Sequence, residues 1–314
     1  MSLYRFYVEG CSNASDKIYI SGKDYNHIKN VLRLRIGEEI IVSDGTSRDY
    51  HCRIAGYRDA GDASSDSSAK GRGGHIDESS GEVEAEIIDI TDNSTELPAD
   101  IILFQGMPKA DKFEHIIQKT IELGVHEIYP VMMKRCVVKL EGGNGNTDKN
   151  GFLTVSSKEA KKVQRYNSIA EAAAKQSQRG IIPEVKSYIS FKQAADLASE
   201  MDMVLVPYES AEGMDHSRSV IGEVKKLCND RLEALKRDNN SSEDRSNDLV
   251  DSEKNGYERP TVAVFIGPEG GFAQEEIDLL TDKGGRIISL GRRILRTETA
   301  GPTVMSILGF ALDD

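Results

Sequence analysis

The chain has no apolar run near the roughly 20 residues of a membrane-spanning helix, and its opening Met1-Ser-Leu-Tyr-Arg-Phe lacks the apolar core of a signal peptide. It reads as a cytoplasmic protein with no membrane partner. Cysteine is scarce, and Cys11, Cys52, Cys136 and Cys228 lie far apart with no C-x-x-C pair. Reduced, partly buried thiols are expected, and no metal site. Also missing are the G-x-x-x-x-G-K-[ST] and G-x-G-x-x-G fingerprints of phosphate and dinucleotide binding. Their absence disfavours, without removing, a nucleotide-binding α/β protein.

The 314 residues give room for two domains, each able to bury a core. A formal net charge of −12 argues against a polyanionic partner until its placement is examined. Residues 59–82 hold a net −4 and residues 238–258 a net −5, so the rest of the chain is close to neutral. A local basic face is compatible with that distribution.

The first sixty residues read as short strands, Tyr4–Val8, Lys17–Ile20, Glu39–Ser43 and Tyr50–Tyr57, with strand character resuming at Val83–Ile90. Asp24–Leu34 carries the one helical spacing there, with Tyr25, Ile28, Val31 and Leu32 on one face. This predicts a small β-barrel-like domain over residues 1–96, with the Ser/Gly/Asp-rich 59–82 as a flexible insertion. Arg5, Lys29, Arg33 and Arg35 beside Tyr4, Phe6 and Tyr7 suit phosphate contact with base stacking. An ordinary solvated surface fits the same composition equally well. His27 reads as a packing residue.

Residues 97–314 alternate strands and helices. Strands are expected at Ile101–Gln105, Glu127–Val131, Met203–Pro207, Val262–Ile266 and from Ile287. Helices are expected at about 112–123, capped by Asp111, and at Lys158–Gln178, Phe191–Glu200, Ser219–Leu235, Gln274–Lys283 and Gly301–Leu312. Residues 141–152 and 238–258 read as flexible insertions. The pattern is an α/β domain with a mainly parallel sheet, whose ligand edge lies beyond the carboxyl ends of its strands.

Two loops fall at that edge. Gly267-Pro-Glu-Gly-Gly-Phe272 allows close backbone approach to a ligand, though a tight strand-to-helix turn explains its glycines as well. Leu290-Gly-Arg-Arg-Ile-Leu-Arg-Thr-Glu-Thr-Ala300 sets three arginines beside Thr297, Glu298 and Thr299. Such groups are expensive at the edge of an apolar sheet unless they bind something, the alternative being an Arg296–Glu298 pair that merely holds the loop. A third stretch, Arg165-Tyr-Asn-Ser-Ile169 with Lys175-Gln-Ser-Gln-Arg179, has a similar polar character and reads equally as a solvated helix face.

Taken with Gln105-Gly-Met-Pro-Lys-Ala-Asp-Lys112, Ile117-Gln-Lys-Thr-Ile-Glu-Leu-Gly124 and Cys136-Val-Val-Lys139, these loops resemble the RsmE family of 16S ribosomal RNA (uracil-N3)-methyltransferases within the SPOUT superfamily. The resemblance spans nearly the whole chain outside the insertions. It implies an N-terminal PUA-like RNA-binding domain and a C-terminal SPOUT domain with a trefoil knot. It further implies an S-adenosyl-L-methionine-dependent enzyme that methylates N3 of a uridine in 16S rRNA or the small ribosomal subunit and works as a homodimer. Carried onto this chain, the cofactor residues are Pro207, Glu209, Gly267, Glu269, Gly270, Gly271, Leu290, Gly291, Ile294, Leu295, Arg296 and Thr299. The catalytic candidates are Arg296 and Glu298, and Arg165, Gln176 and Arg179 join Arg5, Lys29, Arg33 and Arg35 as RNA-facing residues. Two positions depart from the family: Lys175 stands where a Glu is common, which weakens a carboxylate base there, and Tyr166 where Trp is usual. A non-catalytic RNA-binding or ribosome-assembly protein of the same fold is the second reading.

Overall fold

The computed structural model describes residues 3–8, 10–11, 16–45, 48–59, 81–92, 95–140, 152–209, 211, 213–240 and 259–313. Apart from their edges, the three expected insertions fall outside the described residues. The chain divides into two compact units, one of residues 1–96 with 177–182 and one of residues 97–176 with 183–314.

The first unit is a five-stranded sheet in the order β1 (Tyr4–Tyr7), β3 (Glu39–Ser43), β4 (Arg48–Asp59), β5 (Gly81–Asp92), β2 (Lys17–Ser21). Alternation in β2 and β3 sends Ile18, Ile20, Ile40 and Val42 inward, where they meet Phe6, Tyr50, Ile54 and Val83. Register breaks between His51 and Cys52 and between Ile54 and Gly56 bend the long β4–β5 pair. The expected helix is shorter and less regular than its spacing implies. It runs as α1 (Gly22–Asn26) into a π-helical turn, His27–Val31, and Arg33 has the left-handed φ of 55°. Of the expected apolar face, Tyr25 and Ile28 are buried and Leu32 packs against the core in part, whereas Val31 is 65% exposed because the π-helical turn rotates it away. Residues 177–182 join this unit through Tyr7, whose hydroxyl donates to the Arg179 carbonyl, and Ser43, whose hydroxyl donates to the Gly180 carbonyl.

Among the described residues of the second unit every strand pairing is parallel. The order is β12 (Arg286–Ile288), β10 (Met203–Pro207), β11 (Thr261–Ile266), β6 (Asp100–Gly106), β7 (Glu127–Met132), β8 (Glu184–Val185), and β9 (Ile189–Ser190) also pairs with β7. The unalternating runs Ile-Ile-Leu-Phe-Gln and Val-Ala-Val-Phe-Ile become the buried central strands β6 and β11. Phe104 stacks on Tyr129 at 5.1 Å and on Phe265 at 4.7 Å, which fixes the middle of the core.

Helix α2 (Lys112–Glu122) buries Phe113, Ile116, Ile117, Thr120 and Ile121 and packs against α3 (Ser157–Gln176) and α7 (Thr297–Leu312). Asp111 sits at its N-cap without a side-chain capping bond. Tyr166 of α3 is buried edge-on to Phe113 at 4.9 Å, so the smaller ring at this position still fills a core site. The remaining helices are α4 (Phe191–Ala198), α5 (Met214–Asn240) and α6 (Gln274–Asp282). The chain leaves β6 in one direction through α2 to β7, while β11, β10 and β12 lie on its other side. Such a reversal opens a crevice at the carboxyl ends of the strands.

Candidate active site

The first wall of that crevice is the loop after β11. Gly271 N–H donates to the Pro268 carbonyl at 2.9 Å, closing a tight turn, and Gly271 takes φ +66°, the left-handed region that glycine adopts without strain. The end of β6 comes so close that a Cβ on Gly106 would lie 2.7 Å from Pro268 Cδ. Glu276 is buried beneath the loop, accepting from Ala273 N–H and from Lys134 N–H, both at 2.8 Å. This one carboxylate caps α6 and ties the backbone of Lys134 to it.

The second wall follows β12. Ser289 N–H donates to Ser217 Oγ at 2.8 Å, and Gly291 N–H to Ser289 Oγ at 3.2 Å. Residues Arg292, Arg293, Ile294 and Arg296 are exposed. The final helix starts at Thr297 rather than at the expected Gly301, with Arg296 as its N-cap and the Arg296 carbonyl accepting from Thr299 and Ala300 N–H. Thr297, Glu298 and Thr299 are therefore its first turn, which gives them fixed directions that a loop would not.

Thr297 joins the two walls. Its hydroxyl donates to the Gly267 carbonyl at 2.7 Å and accepts from Gln105 Nε2 at 2.9 Å. Gln105 is fully buried at the end of β6 and also donates to the Gly106 carbonyl at 3.0 Å. Both residues stand in the conspicuous sequence motifs, where neither is marked out as a functional position. A Gln closing a run of apolar strand residues is the signal that could have marked it, because a buried amide demands partners.

The third wall is the end of β10, where Tyr208 N–H donates to the Ile288 carbonyl at 3.0 Å and the Tyr208 ring meets Phe272 edge-on at 6.3 Å. One cavity runs between the three. Of the expected cofactor residues, Pro207, Glu209, Gly267, Gly271, Leu290, Gly291, Ile294 and Leu295 line it. Tyr208, Ile266, Phe272, Arg292, Arg293 and Thr297 line it too, beyond the set expected from sequence. Glu269, Gly270, Arg296 and Thr299 lie on the flanking turns instead of on its lining. Apolar side chains, glycine backbone and two arginines together fit a ligand with a flat heterocycle and a charged tail.

Beside the cavity, Lys112 Nζ lies 3.2 Å from both Glu269 Oε1 and Glu298 Oε2. Glu269 also accepts from Lys109 N–H at 3.0 Å. Partial burial works against its charge, yet these donors hold its carboxyl below the usual carboxylate range. For Glu298 the main cause is its own N–H at the start of α7; burial opposes it, and Lys112 and Arg296 add to it. A carboxylate so stabilised is a ready hydrogen-bond acceptor and a weak store for a proton.

The expected RNA-facing residues separate into two groups. Arg33, Arg35, Arg165 and Gln176 are exposed and Lys29 is half-buried. Lys29 Nζ lies over the Tyr25 and Tyr57 rings, 5.3 and 5.9 Å from their centres, and Arg165 pairs with Glu114 at 2.8 Å. Arg5 and Arg179 are buried, the first paired with Asp49 and the second gripped by Glu96, whose Oε1 also accepts from Gly180 N–H at 3.0 Å. Those two guanidinium groups are committed to carboxylates inside the first unit, in contrast to the exposed arginines. A sequence shows an arginine's charge but not a carboxylate partner dozens of residues away.

All four cysteines are unpaired, and burial pushes the Cys11 and Cys52 thiols up to about 11 and about 12, leaving them inert. Among the described residues no group of His, Cys, Asp or Glu could hold a metal ion, and no helix is long and apolar enough to cross a membrane.

Residues 95–228 and 219–309 match the model of an RNA methyltransferase domain, and residues 20–56 that of an RNA methyltransferase PUA domain. The chain is 30% identical over 291 residues to ribosomal RNA small subunit methyltransferase E of Bacillus subtilis, covering 93% of this chain and 89% of that one. A Legionella pneumophila protein solved with bound S-adenosylmethionine is 25% identical with a TM-score of 0.65, covering 99% of this chain and 98% of that one. Ribosomal RNA small subunit methyltransferase E of Neisseria gonorrhoeae, at 22% identity and a TM-score of 0.66, covers 98% of both chains and shares the fold.

Proposed function

Since the chain belongs to the ribosomal RNA small subunit methyltransferase E family, we propose that it transfers a methyl group from S-adenosylmethionine to N3 of a uridine in 16S rRNA. The observation that carries the reading is the single cavity in which both motif loops and the end of β10 meet. Leu290, Leu295 and Ile266 suit the adenine, exposed backbone N–H and C=O groups can read its edge, and Glu209, Arg292 and Arg293 suit the charged amino-acid tail. Bound there, the sulfonium supplies an electrophilic methyl group.

The protein's own residues then answer the demands of the base. Uracil N3 must lose its proton before or as it is methylated, and negative charge spreads over O2 and O4. Arg296, exposed at the N-cap of α7, stabilises that charge, and Glu298 accepts a hydrogen bond from N3–H, orients the ring and takes the proton on transiently before passing it to solvent. The fixed first turn of α7 holds both groups in one geometry, which is where much of the acceleration arises.

The RNA is gathered by Lys29, Arg33 and Arg35 of the first unit and by Arg165 and Gln176 of α3. The molecule works as a two-fold dimer, a reading supported by the apolar outer face of α7, where Ile307 flanks an 88% exposed Phe310. A trefoil knot is part of the same reading. Its support is that the chain leaves β12, next to β10, and crosses to set Thr297 against Gly267 at the end of β11. The test is methyl transfer to small-subunit rRNA with the product nucleoside identified; N3-methyluridine is expected, and a well-folded protein that neither binds the cofactor nor methylates RNA would overturn the reading.

A further inference from the structure

Lys112 is the first residue of α2, where an ammonium opposes the positive end of the helix dipole. It has no part in the core, being about one-third exposed. Its position is explained by what it reaches: Glu269 at the tip of the glycine turn and Glu298 in the first turn of α7, each at 3.2 Å. The turn is held from its other side, where Arg135 Nη1 donates to the Gly270 carbonyl at 3.0 Å. Two carboxylates on one nitrogen attract it more than they repel each other, whereas without the cation they would face one another uncompensated.

We propose that Lys112 is a positioning residue for methyl transfer, clamping the glycine turn to the start of α7 so that Glu298 and Arg296 keep one orientation beside the cavity. The clamp complements the Thr297–Gly267 bond: that bond joins the loops at their bases, and Lys112 joins the exposed Glu269 of the glycine turn to the half-buried Glu298 of α7. The inference rests on the methyltransferase reading for its catalytic consequence, while the clamp itself is a property of the folded chain. The charged groups around it are Glu269 and the Lys109 segment on one side, Arg296 at the N-cap and Glu298 in the first turn of α7, and His115, Lys119 and Glu122 of α2, which share a surface hollow with Glu298.

Three full-length variants, K112M, K112R and E298Q, together with the K112M/E298Q double variant, test it by two readouts. Hydrogen exchange of the cofactor-free protein is expected to quicken over 267–271 and 297–300 together in K112M and to return towards wild type in K112R. Unchanged exchange in both segments of K112M overturns the clamp, whether or not the protein methylates RNA. Initial rates of methyl transfer are then followed from pH 5 to 9. K112M should lose about a hundredfold in kcat, the cost of an ångström of misplacement, with KM for S-adenosylmethionine changed far less. Its acidic limb should move to higher pH, because carboxylates deprived of a cation hold protons more tightly. In the double variant, E298Q should cost little beyond K112M alone. A K112M enzyme with wild-type kcat and pH profile overturns the catalytic role. Wild-type protein inert on rRNA overturns the proposed function instead, leaving the exchange result to decide the clamp.

Discussion

Thr297 Oγ1 donates a 2.7 Å hydrogen bond to the carbonyl of Gly267, across thirty residues of chain. The bond sets the distance between the two loops that flank the cavity, and Gln105 holds the hydroxyl from beneath. Thr297→Val preserves the shape of the side chain and removes the bond, leaving the Gly267 carbonyl without its donor. A loss of about 1–3 kcal/mol in stability is expected, read by denaturant unfolding. A weakened affinity for S-adenosylmethionine should accompany it in calorimetric titration, because both loops line the cavity.

Gly271 has φ +66°, and a Cβ there would meet no neighbour within 4 Å. A Cβ has space there, so a large share of the cost of Gly271→Val is conformational. Forcing a β-branched residue into the left-handed region costs about 1–2 kcal/mol, and relief of that strain would open the turn at Pro268. Gly271→Val should lose cofactor affinity in calorimetry more than it loses melting temperature.

The buried strands were legible because Ile101–Gln105 and Val262–Ile266 have no polar alternation, and only a sheet covered on both faces accommodates them. The two motif loops were legible as a ligand edge for the same reason. The start of α7 was not. Pro302 lies inside that helix, where a missing N–H argues for a break, and the polar run Arg-Thr-Glu-Thr precedes the apolar stretch. Burial of Thr297 and its bonds to Gln105 and Gly267 pull the first turn into the helix, and these are tertiary interactions that local pattern does not contain. The edge strands β8 and β9, two residues each, are too short to leave a period.

Arg296 is exposed at the N-cap of α7 and acts on the neighbouring Glu298 only through its charge. Arg296→Ala should therefore fold normally and keep most of its cofactor affinity. Methyl transfer should fall by about two to three orders of magnitude, the usual cost of removing a group that stabilises developing charge. Single-turnover kinetics on small-subunit rRNA checks this, and activity within a few-fold of wild type would remove Arg296 from the mechanism.

Arg179 and Arg33, alike in sequence as candidate RNA ligands, should fail in opposite ways. Arg179 is buried against Glu96, so Arg179→Ala leaves a carboxylate sealed in the first unit without its cation. Breaking such a pair costs about 3–5 kcal/mol, and the variant should unfold at markedly lower denaturant. Arg33 is exposed, and its removal touches nothing in the core. Arg33→Ala should leave the unfolding curve unchanged while weakening RNA binding. The slope of log affinity against log salt should fall by about one, as it does when a single phosphate is no longer neutralised. If the two variants instead weaken RNA binding equally at unchanged stability, Arg179 leaves its pocket in solution to reach the nucleic acid. The Glu96 pairing would then belong to the free protein alone.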